Sequence, residues 1–173
     1  MSFNYIITFI GDDRTGIVES LAGVVDSHGG NWLESQLSQL KGKFAGIILI
    51  ELPIDSSDDL ENDLKAMPDG SWSVRVTPAG TPSLSAAEQA NFQLAVIGPD
   101  RPGIVREISK ALADSGISVV ALETRVLNAA FTGEAMFHAD IEVRMPDSTL
   151  PRDLEDRLDA IAEAMTLDID IRQ

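Results

Sequence analysis

The sequence predicts an α+β protein built from two copies of one module, and three observations carry that prediction. The run Ile10-Gly11-Asp12-Asp13-Arg14-Thr15-Gly16-Ile17-Val18 returns as Ile97-Gly98-Pro99-Asp100-Arg101-Pro102-Gly103-Ile104-Val105, 87 residues later. In both places an alternating apolar stretch comes before the run and an amphipathic helical stretch follows it. The order of elements is then the same twice over: strand, helix, two strands, helix, strand.

In the first half, Tyr5 to Ile10 reads as a strand with Tyr5, Ile7 and Phe9 on one face. Ile17, Leu21 and Val24/Val25 recur at helical spacing, and His28-Gly29-Gly30 is a glycine stop for that helix. Asn31 to Gln39 and Phe44 to Leu52 read as paired strands turned by Lys41-Gly42-Lys43. Asp58, with Glu61 three residues on, reads as the capped start of a second helix striped by Leu60, Leu64 and Met67. Pro68-Asp69-Gly70 is expected to break it, and Trp72 to Val76 to close the module as a strand.

The second half repeats this order. Phe92, Leu94 and Val96 alternate in a strand, and Ile104, Ile108 and Leu112 line a helix that stops at Gly116. Ile117 to Leu127 and Phe131 to Met145 read as the middle strands. In the latter, Phe137, Ala139, Ile141 and Val143 alternate with His138, Asp140, Glu142 and Arg144, so one face of the sheet is wet. That pattern predicts an antiparallel sheet with its helices on one face. Leu150, Leu154, Leu158, Ile161 and Met165 stripe the last helix, and Leu167 to Ile171 closes the module.

Each half is therefore the split β-α-β-β-α-β, or ferredoxin-like, arrangement. Residues 1–78 are expected to form the first module, 79–90 a linker, and 91–173 the second; Thr77 to Ser83 is rich in proline, glycine and threonine. Modules this small have marginal cores, so the two are expected to support each other. Ile47-Ile48-Leu49-Ile50 is apolar on both faces. Such a strand calls for cover on both sides, from the other module or from a second chain, which leaves a homodimer open.

The bulk numbers exclude several functions. No run approaches the roughly 18 unbroken apolar residues that span a bilayer. The first residues lack a basic segment ahead of an apolar one, so no signal peptide is expected, and the absence of cysteine fits the cytoplasm. A net charge of −15 sets the chain against direct nucleic-acid binding, which draws on basic surfaces.

The repeated turn carries the candidate chemistry. Asp13 and Asp100 are placed to cap the following helices, and Pro102 suits a first-turn position. Gly11 and Gly98 allow a turn that a side chain would obstruct, while Gly16 and Gly103 leave the first helical turn bare. Taken structurally, this is a well-capped strand-to-helix turn and nothing more. Taken functionally, it holds a zwitterion: the carboxylate goes to helix-start amides, and the ammonium to Asp12, Asp13 or Asn31, or to Asp100 or Ser118. Glycines and backbone favour a small ligand.

The pattern Gly-x-Asp-Arg-x-Gly-Ile-Val after a first strand, within β-α-β-β-α-β, resembles the ACT-domain family of small-molecule sensors over nearly the whole chain. The resemblance implies an amino-acid site between two such domains, built from the strand-to-helix loop of one and the second strand of its neighbour. It selects Gly11, Asp13, Arg14, Gly16 and Asn31, with Gly98, Asp100, Arg101, Gly103 and Ser118 in the repeat. Two domains in tandem, with neither a catalytic nor a DNA-binding domain attached, imply a regulatory protein needing no cofactor. Such a protein would sense a small amino acid, glycine above others, and act through a protein partner, a DNA-binding transcriptional regulator. The two loops differ at Thr15 against Pro102 and Asp12 against Pro99, and extra residues enter the second module near Val120-Ala121.

Other candidates weigh less. His28 suits a helix end, His138 a solvated strand face, and neither reads as a metal ligand. Asp12-Asp13 could meet a magnesium phosphate, but no phosphate-cradling loop accompanies them. No nucleophile–base pair emerges, so an enzyme is not expected. A module that binds its protein partner without any small ligand is the alternative.

Overall fold

The computed structural model describes residues 2–54, 56–67, 72–80, 89–130, 132–146 and 151–172. Pro68-Asp69-Gly70, residues 81–88 of the expected linker, Phe131 and Leu150 lie outside them. The chain divides into two compact units, Met1–Thr81 and Pro82–Gln173.

The first unit runs β1 (Ser2–Asp12), α1 (Ile17–Ser27), β2 (Asn31–Leu40), β3 (Lys43–Pro53), α2 (Ser57–Lys65) and β4 (Ser73–Pro78). Its sheet has the order β2-β3-β1-β4, every pair antiparallel. The second runs β5 (Gln89–Pro99), α3 (Ile104–Asp114), β6 (Ser118–Asn128), β7 (Ala135–Pro146), α4 (Pro151–Met165) and β8 (Asp168–Arg172). Its order is β6-β7-β5-β8, again antiparallel throughout. Both units are thus the ferredoxin-like βαββαβ fold that the sequence predicts.

Period-two alternation builds each core. In the first unit Ile7, Phe9, Ile48, Ile50, Leu52 and Val74 point from the sheet onto Ile17, Leu21, Val25, Leu60 and Leu64 of the helices. In the second, Leu94, Val96, Phe137, Ala139, Ile141 and Val143 meet Ile104, Ile108, Leu112, Leu154 and Leu158. Each fully buried aliphatic side chain contributes about 1.5–3 kcal/mol relative to exposure.

Local signals shape the connections. Lys41 and Gly42 both take positive φ, 50° and 79°, which makes the β2–β3 link a two-residue hairpin turn whose twist matches its strands. The extra residue read near Val120-Ala121 is a bulge between Val119 and Ala121 in β6. The first unit carries its counterpart between Trp32 and Glu34 in β2, so the bulge is common to both units and does not distinguish them.

One helix start differs from expectation. The N-cap of α2 is Ser56, and no side chain caps it; Asp58 sits inside the first turn, where its charge complements the helix dipole. Glu61 is drawn elsewhere. Its Oε2 accepts the Val76 amide of edge strand β4 at 2.6 Å, and its Oε1 pairs with Lys65. His28 closes α1 and holds Asp63 of α2 at 2.9 Å, a structural tie between the two helices. Among the described residues, no helix is long and apolar enough to cross a membrane.

Candidate functional site

The repeated run falls where β1 passes into α1 and where β5 passes into α3. Gly11 and Gly98 do not make the turn: both lie within strands and face their own cores. A β-carbon on Gly11 would stand 2.5 Å from Cε3 of Trp72. On Gly98 it would stand 2.6 Å from Cδ2 of Leu167 and 2.8 Å from the Thr166 carbonyl oxygen. Close packing, not turn geometry, demands glycine at these two positions.

The turn itself belongs to Gly16 and Gly103. Each is the N-cap of its helix, with φ and ψ of 84° and 7° at Gly16 and of 100° and −8° at Gly103. These are the angles of the third residue of a type II turn, a position that favours glycine; the second position favours proline, and Pro102 occupies it. The Thr15/Pro102 difference therefore leaves the turn type unchanged. It also places Pro102 ahead of the cap and outside the first helical turn.

The aspartates do not cap. No side chain caps either helix. Asp13 and Asp100 act through their backbones instead: the Asp13 amide donates to the Gly42 carbonyl at 2.9 Å, and the Asp100 amide to the Ala135 carbonyl at 2.8 Å. The first loop is thereby fastened to the β2–β3 turn and the second to the start of β7. Helical geometry leaves first-turn amides without partners. Among the described residues the amides of Val18 and Glu19, and of Val105 and Arg106, donate to no backbone carbonyl or side chain outside their helices. They sit at the positive end of the helix dipole.

The side chains around the two turns differ. Arg14 is half-buried, and its Nε is buried with no hydrogen-bond partner among the described residues. Arg101 is exposed. The Asp12 carboxylate is taken by Lys43, its neighbour across the sheet. Glu19 Oε2 lies 3.7 Å from where a β-carbon on Gly16 would be, whereas Glu107 is held by Arg106 at 2.7 Å. Asp100, Arg101 and Gly103 share an open depression with Val105, Val126 and Phe137. Glu19 is a residue that the repeat alone did not single out, although its place three residues after Gly16 marks it.

Asn31 and Ser118 stand apart from the turns of their own units. Asn31 pairs with Glu51, which pairs with Asn4, whereas Gly11 pairs with Phe44. The seven strand positions from Asn4 to Gly11 put Asn31 roughly 23 Å from the turn of its own unit. Ser118 pairs with Arg144, beside Asn91, at the same remove from Gly98. Neither polar residue serves the turn of its own module.

Residues 4–70 and residues 92–152 each match the family model of the ACT domain. The chain belongs to the ACT-domain family and carries that domain twice. Among solved structures, an unknown protein from Galdieria sulphuraria is similar over 99% of this chain and 98% of its own, with a TM-score of 0.88 and 27% identity. A second, described as a proposed glycine cleavage system transcriptional repressor, is similar over 99% and 97%, with a TM-score of 0.69 and 19% identity, a likeness of fold. Comparison with curated proteins finds no match.

Proposed function

We propose that the chain is a regulatory protein without catalysis of its own. It senses a small amino acid, glycine above others, and acts through a protein partner, a DNA-binding transcriptional regulator. The observation that carries this reading is the pair of glycine-capped helix starts, each with two first-turn amides that no group among the described residues takes. Two adjacent donors at the positive end of a helix suit a carboxylate. The bare turn leaves room for a ligand's main chain: a β-carbon at Gly103 would meet nothing within 4 Å.

At the first turn the ammonium goes to Glu19 or Asp13, and half-buried Arg14, whose Nε has no hydrogen-bond partner among the described residues, adds a cation beside the turn for an anionic oxygen. At the second, Asp100 offers the carboxylate, since Glu107 is engaged by Arg106. Membership of the ACT-domain family supports the sensor reading, and the fold shared with a proposed glycine cleavage system repressor supports glycine as the first ligand to test. The charge of −15 disfavours direct contact with DNA, which supports action through a partner. A ligand that binds one conformation better than another shifts the population toward it, and that difference in affinity is all the coupling the reading needs.

The test is titration calorimetry of the full chain against glycine, serine, alanine and larger amino acids. Saturable binding that weakens as the side chain grows is the expected result. No heat from any common amino acid at millimolar concentration overturns the reading.

A further inference from the structure

The two sheets turn very different open faces away from their helices. On the first, Gln36, Ile47, Thr8 and Arg75 form one row across the sheet, and Glu34, Leu49, Ile6 and Thr77 the next. A third row runs Ser38, Ala45, Ile10 and Ser73. The two central strands of these rows carry no charge. Ile47 is 47% exposed and Ile10 48%. In the second unit, Asp140 and Glu142 take the places of Ile47 and Leu49, and Gln93 that of Ile6. The second face is built for water and the first is not.

We infer that the open face of the first sheet, centred on Ile47, Leu49, Ile6 and Ile10, docks the same face of a second copy of this chain. The charges at its edges select that occupant. Glu34 lies on edge strand β2 and Arg75 on the opposite edge, β4. Both are exposed, and neither has an ion-pair partner among the described residues. A two-fold axis parallel to β1 stacks β3 on the partner's β1 and β2 on the partner's β4. Aligned sheets pack about 10 Å apart within about 30° of parallel. Each Glu34 then lies over Thr77 of the other copy, one row along from that copy's Arg75 and within reach of its long side chain, twice by symmetry. On a chain of charge −15, this face carries Glu34, Glu51 and Asp12 against Lys43 and Arg75. It is close to neutral, so neither a basic nor an acidic partner has an advantage over its own complement. The inference is independent of the sensor reading and can fail without it.

Sedimentation equilibrium of the full chain tests it. The expected result is a dimer at micromolar concentration that Ile47→Glu converts to a monomer with unchanged circular dichroism. Ile47 is exposed, so the fold should tolerate this change. Glu34→Arg and Arg75→Glu should each weaken the dimer by about tenfold or more, and the double variant should restore it. A monomeric wild-type chain, a dimer indifferent to Ile47→Glu, or a double variant that restores nothing would each overturn the inference.

Discussion

The ring of Trp72 occupies the space where a side chain on Gly11 would begin, 2.5 Å from the site of its β-carbon. Leu167 and the Thr166 carbonyl do the same for Gly98. Gly11→Ala must displace a buried indole, and Gly98→Ala must displace backbone. Each should cost about 1–3 kcal/mol of stability, read by urea unfolding. Both glycines face the core, so the folded fraction of each variant should bind amino acids as the wild type does.

The opposite split is expected at the turns. Gly16 and Gly103 have positive φ and open space around them, so a β-carbon there is strained but not crowded. Gly16→Val and Gly103→Val should each lose about 1–2 kcal/mol of stability. The branched side chain also covers the first-turn amides. Calorimetry should therefore show at least a tenfold loss of glycine affinity at the altered turn, roughly the value of one charge-assisted contact.

The two turns should not respond alike to loss of their first-turn acid. Glu19 has no ion-pair partner among the described residues, whereas Glu107 is paired with Arg106. Glu19→Gln should weaken binding at the first turn, and Glu107→Gln should leave the second nearly unchanged. Single-site titrations in Gly103→Val and Gly16→Val backgrounds separate the two.

Glu61 gives the fold a dependence on pH. The hydrogen bond from Lys65, and after it that from the Val76 amide, hold its carboxyl below the ordinary value of 4.5. A lowered native value means that this contribution is present in full above the unfolded value. It is lost as pH falls through 4.5 toward the native value. Thermal melts from neutral to acid pH should fall more steeply for the wild type than for Glu61→Gln. Glu61→Ala at neutral pH leaves the Val76 amide unpaired and should cost about 1 kcal/mol.

The fold was legible because its signals are local and repeated. Alternation in β7 names its buried face residue by residue, and the Ile17/Leu21/Val25 spacing does the same for α1. The turn was legible in part. Pro102-Gly103 spells a type II turn, and reading it so would have moved both caps from aspartate to glycine. What could not be read depends on distant partners. Nothing near Gly11 in sequence announces Trp72, and nothing near Glu61 announces the Val76 amide. Asn31 and Ser118 follow their helices closely in sequence, yet antiparallel return of the chain sets them at the far end of the sheet from the turn.

The most direct test follows backbone amide resonances of the full chain as glycine is added. Saturable shifts are expected on Val18 and Glu19, on Val105 and Arg106, or on both pairs, with no comparable response to acetate or to methylamine alone. Shifts confined to other regions, or none at millimolar glycine, would contradict the sensor reading.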